Sequence, residues 1–298
     1  MDELERMSDA LADRVAAAAP HVVAIGGGRR HASGMLWQSG VIVASEQMLP
    51  DQASHVVVLP GGAEVEARPA GRDPGTNVAV LRLEADPSSA VPDLPPLAPL
   101  PRPGALALVV GADGAGGATA RLGLVHAVGG EWHSMAGGRI DALLRLDARL
   151  GSDEGGPVLD AAGRLLGMST TGPRRRGLVI PAATIARVVE PLLREGRVAR
   201  GWLGVSLQPV MVPEPLRAEA GCEAGMMVVG LSDSAPAASV GVLPGDILLD
   251  LDGHPAAQRR RLAAALGPER VGQTLALRLL RAGAVQTLQV TVAAHPGT

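Results

Sequence analysis

The stretch LGSDEGGPVLD at residues 150–160 places one hydroxyl and two carboxylates beside a glycine-rich turn. Ser152 could attack a carbonyl carbon only if a base within hydrogen-bond reach accepted its proton. Asp153 and Glu154, together with Glu46 from an earlier segment, could share a proton or hold a cation where they approach one another. The simpler alternative is that these carboxylates are solvated loop charges.

A histidine is the base that Ser152 would need. His55 is the nearest candidate in the sequence, but it opens the apolar run HVVVLP, where a strand-edge or surface position is the more ordinary expectation. The other histidines show no metal-ligand spacing. We therefore expect no metal and no cofactor.

Composition indicates a folded soluble protein, because 298 residues with 47% apolar content can build the cores of two domains. A formal net charge of −3 offers no strong field for nucleic acid or an anionic membrane, and neither partner is expected. Cys222 is the lone cysteine, so no internal disulfide is possible. The N-terminal residues lack the cationic and apolar regions of a secretory signal. A cytoplasmic location is the resulting expectation, provided that Met1 is the native start.

Short apolar runs separated by glycine and proline dominate the chain from about residue 21 to 181, which predicts an all-β barrel or sandwich. Residues 182–197 carry apolar positions on one helical face and end at Gly196, a plausible C-cap, while Pro191 should kink or split this helix. The remaining runs predict a compact α+β module.

Three stretches of the first part resemble the HtrA (high-temperature-requirement) family of serine proteases: SGVIVASEQMLP, GRDPGTNVAVLRLE and LGSDEGGPVLDAAGRLLGMST. The later segments RGWLGVSLQPV and SAPAASVGVLPGDILLDLDGHPA resemble its PDZ domain. The resemblance implies a mainly β fold: a chymotrypsin-like double β-barrel followed by an α+β PDZ domain. The expected domains are an N-terminal helix (1–19), a trypsin-like domain (20–182), a linker helix (183–198) and a PDZ domain (199–294).

The resemblance also implies where a catalytic triad would stand. The place of the histidine base holds Gln47, that of the orienting aspartate holds Asn77, and that of the serine nucleophile holds Glu154. An amide cannot take up a proton, and a carboxylate repels developing negative charge, so no catalytic residue is expected at these places. A sharper hypothesis is that the Glu154 carboxylate accepts hydrogen bonds from the loop amides that would have formed an oxyanion hole.

A PDZ domain binds an extended peptide as an added strand. The resemblance implies that the loop and strand from residue 201 to 205, with two positions of the following helix, form the binding groove. Trp202 departs from the pattern and is expected to narrow or cover that groove. The implied peptide-binding residues are Gly201, Trp202, Leu203, Gly204, Val205, Leu262 and Ala265.

The sequence therefore predicts a non-enzyme: a catalytically inactive HtrA-like scaffold that binds a protein or a polypeptide C-terminal tail, as an adaptor or structural subunit. Two alternatives stay open. One is an active serine endopeptidase with a rearranged site at Ser152, and the other is a purely structural subunit of a larger complex. Phe and Tyr are absent, so the aromatic trimer contacts of the family cannot be carried over, and oligomeric state is left open.

Overall fold

The computed structural model describes residues 2–26, 31–84, 93–134, 136–172 and 176–296, and for Arg259 and Arg260 it describes the backbone alone. The chain forms two compact units. The first comprises Met1–Trp132 and Arg139–Val198, and the second comprises His133–Gly138 and Ala199–Thr298. The finer domain boundaries given above stay predictions.

Helix α1, Glu3–Ala18, opens the first unit. Asp2 caps it, because its side chain accepts the Glu5 N–H while the Glu5 carboxylate accepts the Asp2 N–H, each at 2.8 Å. Leu11 and Val15 on one face pack against the core of the first unit. A 3₁₀ turn, Ala19–His21, then leads into the first strand.

The first barrel is closed and pairs its strands in the order β1-β2-β3-β6-β5-β4. Alanine, valine, isoleucine and leucine fill its interior, consistent with the absence of Phe and Tyr from the chain. Its strands are β1 Val22–Ile25, β2 Ala32–Gln38, β3 Val41–Ser45, β4 His55–Val58, β5 Glu64–Asp73 and β6 Val78–Leu83.

A second closed barrel has the order β11-β14-β13-β12-β7-β8, so the described residues confirm the predicted double-barrel architecture. Two short strands, β9 and β10, lie in sequence between β8 and β11. The elements are β7 Leu106–Ala112, β8 Ala118–Gly129, β9 Trp132–His133, β10 Arg139–Ile140, β11 Leu143–Leu146, β12 Pro157–Asp160, β13 Leu165–Thr171 and β14 Gly177–Pro181.

Helix α2, Ala182–Glu195, follows the second barrel and ends at Gly196, whose left-handed φ of 72° makes it the predicted C-cap. The expectation that Pro191 splits this helix is wrong, because the helix runs through it. Ile185, Val188 and Leu192 are fully buried in the core of the first unit. This packing offsets the cost of about 3 kcal/mol that an interior proline imposes on a helix.

The second unit is built on a twisted antiparallel sheet in which β16, β17, β18, β20 and β21 are neighbours in that order and β19 pairs with β18. Its strands and short helices confirm the predicted α+β module. Its elements are β15 Gly201–Trp202, β16 Val205–Met211, α3 Arg217–Ala220, β17 Ala224–Leu231, α4 Pro236–Ser239, β18 Ile247–Leu251, β19 His254–Pro255, α5 Arg259–Ala264, β20 Thr274–Arg281, β21 Ala284–Thr291 and β22 Ala293–Ala294.

Among the described residues, no helix is both long and apolar enough to cross a membrane.

Candidate functional sites

Three turns of the first unit bring Gln47, Asn77 and Glu154 together. Gln47 lies in a 3₁₀ turn, Glu46–Met48, that follows β3. Asn77 precedes β6 and has a φ of 57°, a left-handed conformation that asparagine tolerates better than most residues. Glu154 lies in the loop between β11 and β12. The residues that the family resemblance placed at the triad positions are therefore neighbours in space.

The Glu154 carboxylate is the centre of this arrangement and is only 4% exposed. Its Oε1 accepts hydrogen bonds from Gln47 Nε2 at 2.6 Å, from Thr170 Oγ1 at 3.0 Å and from Ser45 Oγ at 3.1 Å. Its Oε2 accepts from Thr171 Oγ1 at 2.5 Å. None of the ion pairs between described residues includes Glu154. Neutral donors therefore stabilise this buried carboxylate.

Asn77 forms hydrogen bonds with three of the residues just described. Its Oδ1 accepts the backbone N–H of Gln47 at 2.8 Å, and its Nδ2 donates to Thr170 Oγ1 at 2.7 Å and to Ser45 Oγ at 3.0 Å. We call these six residues the polar cluster: Ser45, Gln47, Asn77, Glu154, Thr170 and Thr171. Its donors and acceptors are largely used by one another, which fixes their geometry.

Backbone contacts hold the loop that carries Glu154. The Glu154 N–H donates to the Gly151 carbonyl at 3.1 Å, and the Ser33 hydroxyl donates to the Ser152 carbonyl at 2.6 Å. The donors to the Glu154 carboxylate are side chains of the polar cluster. The hypothesis that this carboxylate accepts hydrogen bonds from the backbone amides of its own loop is therefore wrong.

The neighbouring carboxylates are also paired. Asp153 is 6% exposed and accepts a hydrogen bond from Arg121 Nε at 3.1 Å, and this bond and the Asp153 charge raise the pKa of Arg121. Glu46 forms an ion pair with Arg72 at 2.9 Å. The expectation of solvated loop charges is therefore wrong for Asp153 and Glu154, which are buried, and Glu46 and Asp153 each neutralise an arginine.

Ser152 and His55 do not form a catalytic pair in the described residues. Ser152 is exposed, whereas His55 is buried in β4 opposite Ala67 and has no hydrogen-bond partner at Nε2. Burial lowers the pKa of the His55 imidazole, and the positive charge of Arg72 lowers that pKa further. His55 opens a strand as predicted, but it lies in the interior of the unit.

A second candidate site lies in the second unit, along the open edge of β16. Val205 and Leu231 form a pair flanked by a hydrogen bond from the Ser232 N–H to the Gly204 carbonyl at 2.9 Å. In an antiparallel ladder this pattern marks a non-hydrogen-bonded pair, so the N–H and C=O of Val205 point away from β17. Among the described residues, β16 pairs with β17 alone, so the outward N–H and C=O of Val205 have no strand partner.

The loop before β16 is anchored through its carbonyls. The Leu203 carbonyl accepts the Ala237 N–H at 3.1 Å, and the Gly204 carbonyl accepts the Ser232 N–H. A trans peptide points its N–H opposite to its C=O. The N–H groups of Gly204 and Val205 therefore point away from the body of the unit, as a site for a carboxylate requires.

A cavity of about 980 Å³ lies between β16 and α5. We call it the β16–α5 groove. The described residues that line it are Ser134, Ala136, Gly137, Val205, Leu207, Met226, Gln258, Arg261, Leu262 and Ala263.

Two of the seven residues predicted for peptide binding, Val205 and Leu262, line this groove. Leu203 and Ala265 do not, because they are 3% and 1% exposed and belong to the core. Trp202 is not among the described residues that line the groove, and its ring packs edge-on against His295 with centroids 6.1 Å apart.

Gly201 and Gly204 are also absent from the lining residues. The Gly201 N–H donates to the Leu266 carbonyl at 2.8 Å, and the Gly204 carbonyl accepts the Ser232 N–H at 2.9 Å. Strand alternation from Val205 could have identified Leu207, and helical spacing from Leu262 could have identified Gln258. No sequence signal connects the distant segment Ser134–Gly137 with the groove.

Comparison with known domain families identifies both units. A family model of the trypsin-like peptidase domain matches residues 32–168, and a PDZ domain model matches residues 201–292.

Curated relatives and solved structures extend this comparison. The chain is 30% identical over 268 residues to the "Probable periplasmic serine endoprotease DegP-like" of Brucella suis, which covers 87% of this chain and 51% of that protein. It is 27% identical to the serine endoprotease DegS of Escherichia coli K12, over 88% of this chain and 76% of DegS. The chain thus spans about half the length of its DegP-like relatives.

Among solved structures, the HtrA-type protease AlgW with a decapeptide matches with a TM-score of 0.72 and 26% identity, over 96% of this chain and 99% of that one. The serine endoprotease from Yersinia pestis matches with a TM-score of 0.71 and 27% identity, over 95% and 97% of the two chains.

These comparisons correct two expectations from the sequence. The expectation that the chain is not an enzyme is contradicted, because relatives at 27–30% identity are named serine endoproteases and point to a protease. The cytoplasmic location is also contradicted, since the DegP-like relatives are named periplasmic. The absence of a recognisable secretory signal and of disulfides does not by itself indicate a cytoplasmic location. The chain is thus an HtrA-like protein, with a trypsin-like peptidase domain followed by a PDZ domain.

Proposed function

We propose that this protein binds the C-terminal tail of a polypeptide in the β16–α5 groove. The tail adds to the outer edge of β16 as an antiparallel strand, and its terminal carboxylate meets the N–H groups of Gly204 and Val205. The observation that carries the proposal is the open backbone edge at Val205 beside a large cavity in the same unit. Proteins that bind a partner, such as adaptors, use grooves of this kind.

The lining of the groove supports an apolar last residue. Val205 and Leu207 of β16, Met226 of β17 and Leu262 of α5 form an apolar wall of the groove. Burial of an apolar side chain against such a wall contributes about 25 cal/mol per Å² of surface removed from water. Backbone pairing then supplies affinity that does not depend on sequence, while the wall supplies selectivity.

Fluorescence anisotropy of labelled decapeptides with the full chain tests this proposal. A peptide ending in Val with a free carboxylate should bind at least about tenfold more tightly than the same peptide with a C-terminal amide, because the amide removes the charge that the loop N–H groups receive. Equal affinity of the two forms, or no binding of either at millimolar concentration, contradicts the proposal.

A matched pair of variants locates the binding. Leu262→Asp places a charge in the apolar wall and should abolish binding. Leu243→Asp makes the same change at a residue that is 52% exposed and outside the groove lining, and it should leave binding unchanged. Loss of binding in both variants would show that the effect does not arise in the groove.

Peptide-bond hydrolysis is the second candidate function, and the named activity of the relatives favours it. Gln47 and Asn77 have amide side chains that neither attack a carbonyl carbon nor take up a proton, and four hydrogen-bond donors occupy the Glu154 carboxylate. A hydrolytic reaction in the first unit therefore has to use other groups. Ser152 is the exposed hydroxyl in the same loop and is the nucleophile to test.

A fluorophosphonate probe that labels activated serines decides whether Ser152 serves this role. Labelling of the full chain that is lost in Ser152→Ala, and kept in a variant of an exposed serine elsewhere such as Ser239→Ala, supports a displaced serine site. An unlabelled protein that also leaves casein intact excludes Ser152 as the nucleophile. The binding proposal does not depend on this outcome.

A further inference from the structure

The segment LPPLAPLPRP, residues 94–103, precedes β7 and lies in the sequence between the two barrels. Proline fixes its own φ near −65° and disfavours the helical conformation for the residue before it. Leu97 alone in this segment is neither a proline nor followed by one, and it pairs with Leu165 in a β-bridge. The whole segment is therefore restricted to extended or polyproline II backbone. We call residues 94–103 the proline ridge.

The exposure of the proline ridge repeats every three residues, which is the period of a polyproline II helix. The half-buried face consists of Pro95, Ala98 and Pro101. The two exposed faces consist of Pro96, Pro99 and Arg102, and of Leu97, Leu100 and Pro103. Leu97 and Leu100 are 56% and 63% exposed, and one turn of about 9 Å separates them along the ridge. A contiguous exposed apolar surface of this kind marks an interaction site.

Backbone hydrogen bonds hold the proline ridge against the second barrel. The Ala98 N–H donates to the Leu165 carbonyl at 2.9 Å, and the Leu165 N–H donates to the Pro96 carbonyl at 2.8 Å. No hydrogen bond between described residues uses the carbonyls of Leu97, Pro99 and Leu100. The ridge is thus preorganised, which lowers the entropy cost of binding, and it keeps acceptors for the donors of a partner.

The chemistry of the exposed faces indicates the kind of partner. Pro96 and Pro99 have the spacing of the PxxP segments that bind as polyproline II helices in aromatic-lined grooves. Arg102 is exposed at the end of the same face and belongs to none of the ion pairs between described residues. A carboxylate beside the groove of the partner would complement this charge.

A second copy of this chain does not fit the proline ridge. The chain contains no Phe and no Tyr, and its three tryptophans are each half-buried: Trp37, Trp132 and Trp202. These residues cannot supply a row of exposed aromatic rings. The aromatic groove must therefore belong to a different protein.

We propose that the proline ridge docks in an aromatic-lined groove of a different protein, with Arg102 beside a carboxylate at the end of that groove. This inference concerns the first unit and does not depend on peptide binding in the β16–α5 groove.

Purified SH3 and WW domains have grooves of this kind and are the probes for this inference. Each labelled domain is titrated with the full chain, and fluorescence anisotropy reports binding. At least one domain should bind, and Leu100→Asp should abolish that binding because it places a charge in the apolar contact. Leu243→Asp makes the same change at a residue of the second unit that is 52% exposed, and it should leave binding unchanged.

Arg102→Gln tests the charged end of the proline ridge. It should weaken binding about two- to fivefold at low ionic strength, and added salt should reduce this loss. Arg149→Gln makes the same change at another exposed residue of the first unit and should preserve the affinity. Circular dichroism should show an unchanged fold in each variant.

Chemical shifts of the ¹⁵N-labelled full chain locate the contact without a substitution. The amide resonances of Leu97, Leu100 and Arg102 should shift when a bound domain is added. If no domain binds at millimolar concentration, or if these three resonances stay in place, the inference is wrong. It is also wrong if Leu100→Asp dissociates an oligomer of the chain in sedimentation experiments, since the ridge then contacts a second copy.

Discussion

The polar cluster of the first unit and the β16–α5 groove of the second differ in how their hydrogen-bonding groups are used. In the polar cluster, the two amides and the hydroxyls are paired with one another and with the buried Glu154 carboxylate. Along the groove, the backbone of Val205 faces outward and Arg261 has no ion-pair partner among the described residues. A site whose groups are already paired contributes to stability, whereas a site with unused groups is prepared for a ligand.

We expect the largest loss of stability from a substitution in the loop that carries Glu154. Gly155 has a φ of 95°, and a Cβ atom there would lie 2.0 Å from the Ser33 carbonyl oxygen. Gly155→Ala should lower the free energy of unfolding by at least about 4 kcal/mol, because backbone must move to relieve the overlap. Urea denaturation measures the change.

Gly40→Ala is the control for this prediction. Gly40 also has a positive φ, of 68°, but an added Cβ would meet nothing within 4 Å. It should cost only about 1 kcal/mol, the usual cost of a left-handed conformation for a residue other than glycine. Equal losses in the two variants would show that the Glu154 loop is not tightly packed.

Glu154→Gln tests the carboxylate itself. The new amide cannot accept at both ends, so the donors that now contact Oε1 or Oε2 lose a partner inside the protein. We expect a loss of about 2–3 kcal/mol in the free energy of unfolding, typical of buried hydrogen bonds to a charged group. Glu195→Gln at an exposed residue should change stability by no more than about 0.5 kcal/mol. An unchanged free energy of unfolding in Glu154→Gln would show that the hydrogen bonds of the polar cluster do not stabilise the fold.

The second unit has a buried carboxylate of a different kind, because Asp246 is paired with a cation. Asp246 is 2% exposed and receives hydrogen bonds from Arg281 Nε at 2.7 Å and Nη2 at 2.6 Å. Burial acts to raise the pKa of Asp246, but the bonds from Arg281 and from the Leu243 N–H, with the Arg281 charge, outweigh it and lower the pKa. A lowered pKa in the folded state stabilises the protein above about pH 4, and this contribution is lost as the pH falls through the folded-state pKa.

Arg281→Gln should therefore lower the free energy of unfolding by about 2 kcal/mol at pH 7. The difference from the unmodified protein should begin to shrink near about pH 4 and disappear as the pH falls through the lowered folded-state pKa of Asp246, because protonated Asp246 no longer benefits from the cation. Urea denaturation at a series of pH values measures this. A difference that is constant with pH would mean that Arg281 stabilises the unit by packing alone.

Local periodicity predicts the strands and the linker helix, and the family resemblance implies that Gln47, Asn77 and Glu154 meet in space. The partners of Glu154 could not be predicted, since Ser45 and Thr170 reach it from strands more than a hundred residues apart in the chain. The misassignment of Leu203 and Ala265 to the groove has a related cause. Apolar residues of a binding loop and helix look alike in sequence whether they face a ligand or the core.

Chemical shifts of the ¹⁵N-labelled full chain during titration with a free-carboxylate peptide ending in Val test the central claim most directly. If the tail binds in the β16–α5 groove, the amide resonances of Gly204, Val205 and Leu262 should shift, while those of Gln47 and Glu154 should stay in place. Shifts that are confined to the polar cluster, or resonances of β16 that do not respond to peptide at millimolar concentration, would contradict it.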